Sequence, residues 1–581
     1  GRPIKIDGNA LSPLNKGCSN AQVEASVLSL YDNERLRNPK KGGKDISWEV
    51  LDKEVSGKLK SIAAQGGQIR IVSNTVLSPS TNRVVEEFIT QYPTTKHIVY
   101  DTDSAEGMLA ANEQSFGVRM IPSYDFSKAD VIVGFGADFL GTWIAPIQYA
   151  NQYTQTRKIT DTKKTMSRHY QFEGNLSLTG ANADYRTPLK PSDEAKAVVA
   201  LYSALNGKKS DIPNMNKAAA DLKKAAGKSL VVSGSNDPAV QVVINAINNK
   251  LGNYGKTIDL TTPVNYRQGK EKEYNTFLGE VKSGKVAAVI FYNCNPVYNT
   301  KTGTELSKAL EKVSLTVSTS DRPDETTKFV EYTAPDNHFL ESWGDANPAE
   351  GHYSLMQPTI TNIFNTRQVQ ASFMSWAGVA DFDNFTYLKA GWEGTLSGIG
   401  LIWDQALHDG VFKLENSSEA PEFSADVNTA INSINKAYKG SDLELSIYQK
   451  VGIGDGTQSN NPWLQEMPDP ITKATWDNYL TVSQAWANEK GITFIEGKSN
   501  MVNLTVTGVT LKVPVVIQPG QAPGSIGLSV GYGRTSAGKV ADGRGINAYP
   551  LLSSINGTGS NAVISGVSVE VLEEPYQVAQ T

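Results

Sequence analysis

Apolar residues at Val50, Leu51, Val55, Leu59 and Ile62 recur every three to four positions, which predicts a helix entered at Ser47 and stopped by Gly66-Gly67. Ser47 suits the N-cap, because its hydroxyl can accept from a free N–H of the first turn. The run Gln68-Ile69-Arg70-Ile71-Val72-Ser73 reads as a strand, with a helix expected around 81–90 and another strand over 97–100. Such alternation predicts a parallel sheet wound by helices. The unit recurs at 129–136, at 228–234 with a helix from about Pro238 to Lys250, at 285–292 and at 314–319. From about 497 the period becomes two: 503–517 alternates, a glycine-rich stretch fills 519–545, and 563–569 alternates again. Ile4 and Ile6 also alternate with polar residues, like a strand already under way, and 573–581 reads as a linker. Sequence is expected beyond both ends, so a missing leader decides nothing about targeting.

The fold class expected is multidomain α/β, with Rossmann-type parallel sheets and a C-terminal β-barrel-like domain. Its expected division is a β-rich segment at 1–45, a discontinuous α/β domain at 46–100 and 236–400, and a second α/β domain at 101–235. A helical or irregular connection at 401–496 leads to the β-domain at 497–581.

Composition narrows the chemistry. The formal net charge of −5 argues against a nucleic-acid partner. No apolar run approaches the roughly 18–20 residues that cross a bilayer. Cys18 and Cys294 are the only cysteines, too few for a four-thiolate cluster or a disulfide scaffold. No histidine lies three or four residues from another, so no helical metal pair exists. His338 and His352 flank Glu341 and Glu350, for which a solvated loop is favoured over a metal site. Trp343, Trp376, Trp392 and Trp403 fall in a glycine-rich region, where loop packing is favoured over a groove. No nucleophile–base set follows from spacing, so no catalytic residue is assigned. The turns Gly134-Phe135-Gly136-Ala137-Asp138 and Ser233-Gly234-Ser235-Asn236-Asp237 end predicted strands, where backbone N–H groups can approach a phosphate. Turns without a ligand explain them equally well.

Several segments together resemble the molybdopterin oxidoreductases. Gly1-Arg2-Pro3-Ile4-Lys5-Ile6-Asp7-Gly8-Asn9 is similar to that family's opening "G-x-x-(I/V)-x-I-x-G-N", and Tyr31-Asp32-Asn33-Glu34-Arg35-Leu36 to its "Y-D-P-(D/E)-R-L". Ile46-Ser47-Trp48-Glu49, Asn295-Pro296, Asp321-Arg322-Pro323-Asp324-Glu325-Thr326 and the stretch from Ala334-Pro335 to Glu341-Ser342-Trp343-Gly344 resemble further family segments. The β-rich end matches the place of the domain that contacts the pterin dinucleotide. One branch fits best, the molybdopterin-like half of the B subunit of alternative complex III, on wording such as Ala25–Asp32 and Tyr124-Asp125-Phe126 leading to Gly134–Trp143.

That resemblance implies a bacterial quinol-oxidising respiratory complex, with this segment on the periplasmic face of the inner membrane, held peripherally by partner subunits. The implied partners are a membrane quinol-binding subunit, multihaem and monohaem cytochromes c and a terminal oxidase. Iron–sulfur clusters are implied in a following domain, and no cofactor in this segment. Counting back from Asp32 to the family's cluster cysteine reaches Asn20; Cys18 is two positions off. Counting back from Gly117 to the molybdenum ligand reaches Ser104, which suits either a ligand or an N-cap. Ser104, Gly134, Gly136, Ser233 and Gly234 are thus the candidate remnants of a pterin pocket, and molybdopterin itself is not expected. The competing expectations are an active bis-molybdopterin oxidoreductase of the polysulfide or thiosulfate reductase type, and a soluble α/β binding protein.

Overall fold

In the computed structural model, which describes residues 1–416, 418–554 and 562–580, two sheets carry parallel strands at their centres. The first runs Lys44–Asp45, Lys40–Lys41, Tyr332–Thr333, Leu315–Ser318, Val286–Tyr292, Gln68–Ser73, Thr95–Val99, with the last five parallel. Ser47 caps the helix Trp48–Ala64, its Oγ accepting the Val50 N–H at 3.3 Å. This helix buries Leu51, Val55 and Leu59 among Ile69, Ile71, Ile290 and Val317. Each such side chain contributes roughly 1.5–3 kcal/mol relative to exposure.

The second sheet is four-stranded and wholly parallel: Tyr185–Pro188, Arg168–Glu173, Val131–Phe135, Ser229–Ser233. Phe135 is in register with both Phe172 and Ser233. The chain therefore leaves three adjacent strands side by side, at Gly136, Gly174 and Gly234. One face of the Arg168–Glu173 strand is polar although buried. His169 Nε2 lies 3.3 Å from Gln171 Oε1, and Gln171 Nε2 donates to Glu173 Oε2 at 3.1 Å. A Cβ on Gly134 would collide with the Gln171 amide, which explains the glycine there.

A five-stranded antiparallel sheet has no counterpart in the sequence pattern. Its order is Val411–Lys413, His352–Met356, Gly344–Ala349, Ile258–Val264, Ile121–Tyr124. Strands such as Gly344-Asp345-Ala346-Asn347-Pro348-Ala349 have little intrinsic β-propensity and exist through partners distant in sequence.

The C-terminal sheet is mixed: Ala562–Ile564, Glu444–Tyr448, Ser525–Ser529, Leu480–Val482, Val509–Ile517, Lys498–Val506, Val567–Gln577. It draws Glu444–Tyr448 and Leu480–Val482 from the stretch expected to be helical or irregular. Leu445, Ile447, Leu480 and Val482 all enter its core. The alternating run 503–517 is broken at Thr507-Gly508, whose φ values of 44° and 84° make a tight hairpin turn. Residues 573–577 are strand rather than linker, paired with Lys498–Asn500, and Thr581 lies outside the described residues, as do 555–561.

The N-terminus also departs from expectation. Residues 1–9 form no strand, and Ile4 stays 78% exposed. Residues 21–31 are helical instead of β-rich: Asn20 accepts the Val23 N–H at 2.9 Å and so caps Ala21–Ala25, which continues into a 3-10 turn.

Gly134→Ala is expected to lower the thermal unfolding midpoint, by a cost of about 1–3 kcal/mol for overpacking. Adding Gln171→Ala to it should restore most of the loss, because the clash is with that side chain. A calorimetric scan of the single and double variants checks this.

Candidate functional site

A cavity of about 460 Å³ opens at the carboxyl ends of the second sheet. Gly136, Gly174, Ser233 and Gly234 line its floor, while Tyr448, Gln449, Lys450, Asp469, Thr481 and Gln518 approach from the C-terminal region. The two glycine turns fit closely. Gly234 donates to Phe135 O at 2.8 Å, and a Cβ on Gly234 would strike the Gly136 carbonyl. Gly136 has φ +58°, and its missing Cβ leaves room for the Glu194 carboxyl.

The backbone donors in and around this floor are engaged within the chain: those of Gly136 and Gly234 by the strand carbonyls of Phe172 and Phe135, and several others by carboxylates. Glu194 Oε1 accepts the Gly174 N–H at 2.8 Å. Glu173 Oε1 accepts the Ser177 N–H at 3.0 Å, and Asp138 Oδ1 accepts the Thr179 N–H at 2.8 Å. Asp237 caps the helix Pro238–Lys250, accepting the Ala239 N–H at 2.8 Å and the Tyr438 hydroxyl at 2.9 Å. Glu444 accepts the Ser192 N–H at 2.8 Å at the start of Pro191–Leu205. Helix starts and exposed N–H groups attract anions, and here the anion is built in.

Charge follows the same arrangement. Lys450 is the only basic side chain among the described residues lining the cavity. Its ammonium donates to Asp477 O at 2.6 Å and lies over the rings of Tyr479 and Tyr532, 4.0 and 4.9 Å from their centroids. Burial lowers its pKa to about 8. Arg186 binds Glu173 Oε1 at 2.7 Å. Packing raises the Glu194 carboxyl to about 8 and the Asp138 carboxyl to about 6, against the opposing effect of their hydrogen bonds.

A second cavity of about 490 Å³ lies at the carboxyl ends of the first sheet, lined in part by Asn295, Asp321, Arg322, Asp336, His338 and Arg534. Its cations are paired with carboxylates. Arg322 binds Asp321 at 2.8 Å and Asp32 at 3.2 Å, and Arg534 binds Glu325 at 2.8 Å. Asp336 accepts the Val369 N–H at 2.9 Å at a helix start, and burial raises it to about 7.

The residues singled out from sequence are partly brought together. Gly136, Ser233 and Gly234 share the first cavity. Ser104 adjoins it, lining a small neighbouring pocket with Ser233, Gly234 and Arg267. Ser104 Oγ accepts the Glu106 N–H at 3.1 Å at the turn into Glu106–Phe116. Gly134 is set back in its strand, against Gln171. His338 and Glu341 do not lie in a solvated loop. Glu341 is fully buried and binds Arg35 at 2.7 Å, and His338 caps the turn Phe339–Glu341 and contacts Ser29 at 2.7 Å. The Arg35 guanidinium needs a buried counter-charge, which draws this loop inside. His352 lies in a separate strand, opposite Lys413. Trp376, Trp392 and Trp403 pack in cores, while Trp343 is half-buried at the edge of the second cavity. Glu173, Glu194 and Lys450 were not foreseen. The visible signal was an acid just beyond each glycine turn, at Asp138 and Asp237.

No family model matches the chain. It is 22% identical over 633 aligned residues to the menaquinone reductase, molybdopterin-binding-like subunit, of Nitratidesulfovibrio vulgaris strain Hildenborough, covering 98% of this chain and 89% of that one. Its structure is similar to acetylene hydratase from Pelobacter acetylenicus, a molybdopterin oxidoreductase family member, with a TM-score of 0.66 at 12% identity, over 96% of this chain and 95% of that chain. The chain has the molybdopterin oxidoreductase fold. The resemblance read from the sequence therefore holds for the architecture, end to end.

In a molybdopterin oxidoreductase fold the implied group is a pterin dinucleotide, whose pyrophosphate requires open N–H donors or cations. The first cavity has carboxyls close to its glycine turns, and its one basic lining residue among the described residues, Lys450, is held by the Asp477 carbonyl and two tyrosine rings. Placing a pyrophosphate against Glu173 and Asp237 would set like charges together in a partly desolvated space, and the Glu194 carboxyl already holds the Gly174 N–H. The residues here do not fit that group.

A raised acid pKa has a definite consequence for stability. Glu194 binds its proton more tightly folded than unfolded, so its contribution is complete below pH 4.5 and is lost as pH rises through about 8. Glu194→Gln should therefore flatten the fall in unfolding midpoint between pH 5 and pH 8, measured by thermal scans across that range.

Proposed function

We propose that this chain is a subunit of a quinol-linked respiratory electron-transfer complex of the alternative complex III type, in which it is a pterin-free body rather than a redox centre. The observation that carries this reading is that the N–H donors around the glycine-turn cavity are engaged within the chain, several of them by carboxylates. The menaquinone reductase subunit, matched over 98% of this chain, supports the respiratory, quinone-linked setting.

The thiols agree with a non-redox body. Cys294 donates to Val72 O at 3.2 Å, and Cys18 accepts from Asn151 at 3.1 Å, so each has a local structural partner. A cluster of four thiolates has no source here. No helix among the described residues is long and apolar enough to cross a membrane. In this reading the chain is attached through partners: a membrane quinol-binding subunit, an iron–sulfur domain, multihaem and monohaem cytochromes c, and a terminal oxidase as acceptor. It lies peripherally on the periplasmic face of the inner membrane. Its role is to hold the iron–sulfur domain and the cytochromes at electron-transfer distance.

Tagged chain purified from solubilised membranes is expected to bring down haem-containing partners and to hold molybdenum and pterin far below one per chain. Ser104→Ala should leave quinol oxidation by the assembly unchanged. Stoichiometric molybdenum, or a large loss of turnover with the assembly intact, would contradict the reading.

A further inference from the structure

Glu194 is distinctive among the carboxylates of the first cavity. Asp237 caps the helix that it precedes, and Glu173 is bound to Arg186 and Ser177. Glu194 instead crosses from the first turn of Pro191–Leu205 to two strand ends that are not its own. One oxygen accepts the Gly174 N–H at 2.8 Å, and the other fills the space left by the absent Cβ of Gly136. The carboxyl thus lies across the turns that leave Val131–Phe135 and Arg168–Glu173. Beside it, Arg186 donates through Nε to Glu173, yet its buried Nη2 has no hydrogen-bond partner among the described residues.

We propose that Glu194 is a built-in occupant of a latent anion site, formed by the turns at Gly136, Gly174 and Gly234, and that this side chain is what closes the site to pyrophosphate-bearing ligands. The claim rests on the pterin-free reading above and names the residue that enforces it. Two features make the site latent rather than lost. The glycines that allow close approach of the strand ends are all present, and the Gly174 N–H is held by a side chain, not by the sheet. Shortening residue 194 frees that donor and opens the space over Gly136. It also removes one carboxyl from the electrostatic reach of the Arg186 guanidinium. Glu173 and Asp237 stay, so the opened site should be modest in affinity.

The test is calorimetric titration of the full chain with inorganic pyrophosphate. The unmodified chain should show no saturation, whereas Glu194→Ala should bind at least about tenfold more tightly and gain thermal stability with added pyrophosphate. Acetate, a free carboxylate, should compete in that variant. Glu194→Gln keeps the shape and the acceptor for Gly174, and should stay closed. Glu194→Ser serves if the alanine variant does not fold. A folded, shortened variant as blind to pyrophosphate as the parent overturns the proposal, as does equal binding by Glu194→Gln. Pterin fluorescence after oxidation of the unmodified chain separates the two levels: stoichiometric pterin would overturn the pterin-free reading, and a pterin-free chain with a blind variant would overturn only the role of Glu194.

Discussion

The structure turns on one constraint: backbone N–H groups that emerge at the carboxyl ends of parallel strands and at helix starts must be satisfied. In a nucleotide-binding α/β protein a ligand's phosphate does this. Here neighbouring strand carbonyls and the chain's own carboxyls do it, the latter through Glu173, Glu194, Asp138 and Asp237 at one sheet and Asp336 at the other. The cavities are lined in part by acids and by cations that the chain itself engages.

The same logic explains why buried charge is tolerated. Arg35 with Glu341 and Arg534 with Glu325 are closed pairs with almost no solvent access. Removing one partner of such a pair leaves an uncompensated ion, a cost of about 3–5 kcal/mol. These pairs tie segments far apart in sequence. Arg534, from the glycine-rich stretch, reaches the Asp321–Thr326 segment of the first α/β unit, and Arg35 reaches the 338–341 turn. The fold is therefore fastened across its parts by internal ion pairs.

Much of the architecture was legible in the sequence, because buried parallel strands are continuous apolar runs. Val286–Tyr292, Ser229–Ser233 and Gln68–Ser73 appear within a residue of their expected bounds, and Ser47 and the helix from Pro238 are readable from capping chemistry. The antiparallel sheet was not legible, since Gly344–Ala349 and Ile121–Tyr124 are set by partners far along the chain rather than by period. Nor was the N-terminus, where the alternation at Ile4 and Ile6 finds no strand partner and 21–31 turn helical behind the Asn20 cap. Of the site, the glycine turns were visible and their occupants were not. Glu194 is an ordinary first-turn acid of a helix until the fold brings it over Gly136 and Gly174.

What fills the two cavities in the working protein is visible in a cryo-electron microscopy map of the native assembly at a resolution that shows side chains. Glu194 density is expected on the Gly174 N–H, with only water in the remaining space of both cavities. Continuous density for a pyranopterin dinucleotide over the Gly136 and Gly234 turns, with Glu194 swung aside, would contradict it.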